Sequence, residues 1–106
     1  MSDANPGQTA TTKRKITMKA VILTTKHRGV FFGFLPADAD DTQTTLRLER
    51  AKMAIRWGTT GGVLQLAGTG PTEKSKIGTE APSILLHDIT SVIGCSDEAV
   101  AKWAQT

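Results

Sequence analysis

The chain has 106 residues, 39% of them apolar and 22% charged, which is enough for one folded domain and leaves little room for a second. The net charge of +3 is matched by Lys13, Arg14 and Lys15 alone, so the rest is close to neutral and lacks the basic stripe of a dedicated nucleic-acid binder. One cysteine, Cys95, excludes an internal disulfide framework and fits a reducing compartment, and no apolar run approaches the roughly 20 residues needed to span a membrane.

Residues 1–17 read as a flexible basic tail. The run from Ser2 to Thr9 holds no large apolar residue that would repay the entropy of ordering. The tail shows no signal-peptide pattern, so the cytoplasm of the producing cell is the expected location. A single small β-rich domain is expected over 18–106, and a domain this small often gains stability by self-association.

Ala20 to Thr25 is short, apolar and rich in β-branched residues, as a buried strand is. Lys26-His27-Arg28-Gly29 reads as a turn, with Gly29 expected to supply a positive φ. Val30 to Leu35 is the second strand of a hairpin. Val30, Phe32 and Phe34 share one face, Phe31 and Leu35 the other, and Gly33 suggests a bend or a close backbone approach. Pro36 to Gln43 is an acidic loop. Its three Asp lack the glycine, distal Glu and flanking helices of a calcium loop, so a solvated turn is expected.

From Thr45 to Trp57 the alternation changes phase. Leu46 and Leu48 fall in one register, Met53, Ile55 and Trp57 in the other, and the slip lies at Arg50-Ala51-Lys52. A period-two strand absorbs such a slip only through a bulge or a break. A bent strand, two strands at a corner, or a helix over Leu46 to Met53 all fit the pattern. Val63 to Ala67 is equally open between a helical turn and a strand, and Thr69 to Thr79 reads as a polar loop. Ile84 to His87 and Thr90 to Gly94 are two further strands, the second closing the sheet. Ser96 to Trp103 is the clearest helix, with Ser96 as N-cap, Asp97 and Glu98 in the first turn, and Ala99, Val100 and Trp103 as its apolar face. The expected fold is therefore mainly β (α+β): a small antiparallel β-barrel or rolled sheet with a C-terminal helix. Trp103 anchors that helix to the sheet or to a neighbouring subunit.

The motifs point away from catalysis. Gly68 to Ser75 resembles a phosphate loop, but Glu73 stands where glycine must precede Lys-Ser, and its charge would repel phosphate. His87-Asp88 and Cys95 supply too few ligands for a zinc site, and no signature makes Cys95 a nucleophile. Cys95 does sit just before a helix, where a thiol pKa can fall. No enzyme activity, catalytic residue, metal or cofactor is expected. The binding candidates are His27, Arg28, Arg56, Lys74 and Lys76, which lie on turns or strand ends. Arg28 and Arg56 suit bidentate contact with phosphate or carboxylate. Phe31, Trp57 and Trp103 are interface candidates, because one small core does not hide every aromatic, and a homo-oligomer is expected. With 5% aromatics and no Tyr, nucleic acid is not expected as a partner.

Two resemblances extend this reading. The stretch Thr24 to Gly33, then Ala51 to Trp57, Gly62 to Ala67, Gly70-Pro71 and the Ser96-to-Trp103 helix resemble a family of small bacteriophage and prophage proteins of unknown function, over nearly the whole domain. That resemblance implies phage origin, a place in the host cytoplasm or virion, and no particular activity. Arg28 to Leu35 resembles the glycine-containing strand of Sm-like small β-barrels, while Val92-Ile93-Gly94-Cys95 lacks the Arg of their second signature. The function expected is a phage-encoded, non-catalytic binding protein acting through contacts with a phage or host protein. The alternatives are an anti-defence sponge that sequesters a small nucleotide signal without cleaving it and, less favoured, an Sm-like RNA-binding ring.

Overall fold

A computed structural model describes residues 17–26, 28–58 and 61–106. Residues 1–16 of the expected flexible tail and the candidate His27 lie outside the described residues. Among the described residues six strands and two helices follow in order: β1 (Met18–Thr25), β2 (Val30–Pro36), β3 (Leu46–Arg56), α1 (Val63–Gly68), β4 (Lys76–Ile77), β5 (Ala81–Leu86), β6 (Ile89–Gly94) and α2 (Asp97–Ala104). All pairings are antiparallel, in the order β4-β3-β2-β1-β6, with β5 also paired to β3. The architecture is mainly antiparallel β with a C-terminal helix, and the sheet rolls without closing into a barrel.

The roll has a covalent cause. β5 and β6 lie on opposite flanks of the sheet, yet only His87 and Asp88 join them. Leu86 and Ile89, three steps apart along the chain, are separated by about 11 Å at most, so the flanks must curl toward each other. Asp88 turns the chain with φ 56° and its carbonyl accepts the Lys26 N–H at 2.9 Å. His87 therefore belongs to this link and is exposed, contrary to its expected place in a strand. The polar stretch 69–79 also hides the short strand β4, which its composition does not announce.

β3 bends where its alternation slips. Phe32 faces Lys52 but Phe34 faces Glu49, a one-residue shift that places a bulge at Arg50-Ala51. Arg50 takes φ 49° there, and its guanidinium lies 4.1 Å from the centre of the Phe34 ring. Gly33 lies opposite the bulge, where a Cβ would come within 2.4 Å of Leu48 Cγ. One bent strand is thus the outcome, and the helical alternative is excluded.

Strand alternation then feeds two cores. Val21, Leu23, Leu35, Leu48, Ala51, Leu86 and Ile89 fill the inside of the roll. Ile22, Val30, Phe32 and Ala54 face the other way and are covered by Leu66 and Ala67 of α1 and by Ala99 and Trp103 of α2. Covering both faces is why Ala20 to Leu23 is a continuous apolar run rather than an alternating one. In α1, Leu66 and Ala67 are buried while Leu64 is 68% exposed, a helical pattern that settles the ambiguity at 63–68.

α2 begins as its sequence predicts, with Ser96 Oγ accepting the Ala99 N–H at 3.1 Å. At its other end Lys52, a buried lysine of β3, donates to the carbonyls of Trp103 at 2.8 Å and Thr106 at 3.2 Å. A cation at a helix C-terminus satisfies orphan carbonyls and opposes the negative end of the dipole. Glycine is not the residue that supplies the positive φ of the β1–β2 turn. Arg28 does so with φ 66°, while Gly29 is needed because a Cβ there would meet Phe31 and Thr25 at 2.7 and 2.8 Å.

Candidate functional site

The binding candidates gather at one end of the sheet because of strand register. Arg56 ends β3 and is the Cα partner of Lys76 on β4. Lys74 follows the same loop back toward β3, since Gly58 (φ 58°) leaves no room for a Cβ against the Lys74 backbone. Polar side chains fix this loop: Thr72 Oγ1 donates to the Gly58 carbonyl at 3.0 Å and Ser75 Oγ donates to the Trp57 carbonyl. Arg28, in the turn before β2, lies at the end of β2 that the Phe31–Met53 pairing sets toward Arg56.

Arg28, Arg56, Lys74 and Lys76 are all exposed, and none of them forms an ion pair among the described residues. Arg56 opposite Lys76 is a like-charge pair across neighbouring strands, an arrangement that costs stability unless an anion offsets it. Two apolar side chains complete the patch. Met53 and Ile55 are 42% and 52% exposed on one face of β3, and the Ile55 side chain leans over Gly78. The sequence phase marked both as strand residues of a buried register. What leaves them uncovered is that β4, beside this half of β3, is only two residues long.

The aromatic candidates divide. Phe31, the Cα partner of Met53, is half-buried against the inner core. Trp57 is half-buried against the helix-side core. Trp103 is wholly buried within the subunit and presents no surface to a neighbour, so it takes the first of its two expected roles, anchoring α2 to the sheet.

The acidic loop forms a solvated turn. The Asp40 carboxylate accepts from the Thr42 hydroxyl and from the Gln43 side chain and Thr42 N–H at 3.0 Å, and these bonds hold its pKa at about 2. Among the described residues no three His, Cys, Asp or Glu side chains converge, and no described helix is long and apolar enough to cross a membrane.

Cys95 behaves opposite to the expectation of a lowered thiol pKa. Burial raises it from 9.0 to about 11, and its backbone N–H is engaged by the Ala20 carbonyl at 3.0 Å. Being raised in the fold, the thiol contributes stability that is complete below pH 9.0 and is lost as pH climbs toward 11. Alkylation by iodoacetamide at pH 8 is expected to be slow in the native protein and fast in urea. Equal rates in the two states would show a thiol free of burial.

The fold and this patch define a small rolled-sheet domain with two helices on one face and a cationic, apolar-centred surface at one sheet end. The chain belongs to a family described as a domain of unknown function, DUF6948, which matches residues 18–103. No curated protein and no solved structure matches the chain.

Proposed function

We propose that this protein is a non-catalytic binding protein that acts through protein contacts made at the end of β3. The observation that supports the reading is the pairing of exposed Met53 and Ile55 with Arg56, Lys74 and Lys76, which form no ion pair among the described residues. Single exposed apolar residues are ordinary, but an apolar pair rimmed by cations has the composition of a contact surface. The likeness to phage proteins extends the proposal to a phage-encoded accessory part of the particle or an early protein that engages a host factor. A photo-crosslinking residue placed at position 55 in infected cells should give a discrete protein adduct, lost in Met53→Ser and Arg56→Glu. Absence of any protein adduct in cells and virions would overturn the reading.

The like-charge pair Arg56–Lys76 favours one rival, a sponge for a small anionic nucleotide signal. Calorimetry against cyclic nucleotides and NAD-derived signals tests it. Binding that disappears in Arg28→Ala and Arg56→Ala would replace protein contact with ligand sequestration.

A further inference from the structure

The strands at the margins of the sheet differ in what they offer a neighbour. An edge strand presents main-chain N–H and C=O groups that invite another strand, and proteins block this with short edges, lysine or proline. β4 is two residues long and carries Lys76, and β5 carries the exposed Pro82, which has no N–H. β6 has none of these devices. Ile89–Gly94 holds no charge and no proline, and four of its six residues are β-branched. Beyond a bulge at Thr90 its ladder to β1 is regular, with Ser91 opposite Thr24 and Ile93 opposite Ile22. The Cys95 N–H donates to the Ala20 carbonyl at 3.0 Å, so by alternation Ser91 and Ile93 also bond toward β1. Val92 and Gly94 therefore turn their N–H and C=O groups away from β1, and these groups have no partner among the described residues. Gly94 is exposed, and a Cβ there would meet nothing within 4 Å. On the same flank α1 lies over β1 and β6 and leaves Leu64 68% exposed.

We infer that β6 is the joint of a symmetric dimer, its free edge paired antiparallel with β6 of a second copy. A two-fold axis at Ile93 sets Val92 opposite the partner's Gly94, and Gly94 opposite the partner's Val92, so each of these free main-chain groups finds a bond. A strand that faces itself across such an axis also meets its own charges, and like charges directly opposite destabilise a sheet. β6 carries no charge, so it is its own complement. The other edges fit less well, since Pro82 removes a donor from β5 and β4 is too short to pair along its length. Each copy uses the same surface, so association stops at two. The contact spans about 20 Å of strand with Leu64 beside it, a small interface of the weak, reversible class below about 1,200 Å². It lies apart from the end of β3 and stands independently of the protein-contact reading.

Sedimentation of the wild-type chain should show a reversible monomer–dimer equilibrium with a dissociation constant of roughly 10 μM to 1 mM, little changed by salt. Val92→Pro removes an outward donor without touching the ladder to β1, and Gly94→Lys places a charge in the joint. Each should weaken association at least about tenfold. If Val92→Pro fails to fold by circular dichroism, the exposed and uncrowded position 94 carries the test. In a Cys95→Ala background, Ile93→Cys should give a disulfide-linked dimer on oxidation, since the axis brings the two Cα atoms to about 4.5 Å. Ser91→Cys in the same background should not, because the two copies of that position lie about 14 Å apart. Met53→Ser/Arg56→Glu should leave the dimer intact. A strict monomer up to about 1 mM or an assembly larger than a dimer would overturn the inference. So would a dimer indifferent to Gly94→Lys, one lost in Met53→Ser/Arg56→Glu, or equal cross-linking at positions 91 and 93.

Discussion

Replacing Trp103 by alanine is expected to lower the free energy of unfolding by about 3–5 kcal/mol, the range for deleting a fully buried large aromatic. Two side-chain contacts are lost together. The indole stacks on Phe32 with ring centres 4.7 Å apart and planes 4° from parallel. Its Nε1–H donates to the Leu66 carbonyl at 3.0 Å, which ties α2 to α1. The backbone carbonyl of residue 103, which alanine keeps, is the nearest acceptor of the buried Lys52 ammonium, so that bond is affected only if the end of α2 moves. Truncation would leave the Leu66 carbonyl without this donor and open a void between the helices and the sheet. Small domains are stable by about 5–15 kcal/mol, so the variant should melt far below the wild type or be unfolded at room temperature. Thermal unfolding followed by circular dichroism measures this, with Trp57→Ala, at a half-buried position, as the milder comparison. A loss under about 1 kcal/mol at Trp103 would mean that α2 is not held on the sheet as described.

Gly33→Ala is the second large effect, with an expected loss of about 1–3 kcal/mol from overpacking. The added methyl would stand 2.4 Å from Leu48 Cγ and 2.9 Å from the Glu49 carbonyl oxygen. Leu48 is fully buried inside the roll, and the Glu49 backbone leads into the bulge at Arg50, so neither neighbour yields freely. Leu48→Ala alone should cost about 2–5 kcal/mol through its cavity. The double variant should then cost less than the two losses added, because alanine at 48 makes room for the methyl at 33. Strict additivity in denaturant titrations would show that the two sites do not touch.

Much of this molecule was legible before its structure. The β-branched run at 20–25, the alternating aromatics of 30–35 and the capped helix after Ser96 are local patterns, and local physics is sufficient to form them. The phase slip at Arg50-Ala51-Lys52 marked where the pattern breaks, and the structure resolves it as a bulge that turns Leu48 to the inner core and Ala54, six residues on, to the helix-side core. The cationic candidates at 28, 56, 74 and 76 were legible as surface residues, since charged side chains at turns and strand ends stay in water.

Other features depended on what the chain meets in space. Arg28, rather than Gly29, takes the positive φ, while Phe31 and Thr25 leave position 29 no room for a Cβ. Lys52 reads as an ordinary strand lysine, and only the return of α2 across the sheet gives its ammonium three oxygens at 2.8–3.2 Å. Met53 and Ile55 carry the alternation of a buried strand and yet are exposed, because their burial was never theirs to decide: it depends on the length of the strand alongside, and β4 stops after two residues. Sequence by itself determined the first hairpin, the capped C-terminal helix, the place of the phase slip and the charges, since each follows from neighbours along the chain. Tertiary structure decided which cations converge and which apolar side chains remain uncovered, since both depend on register between strands that lie twenty or more residues apart.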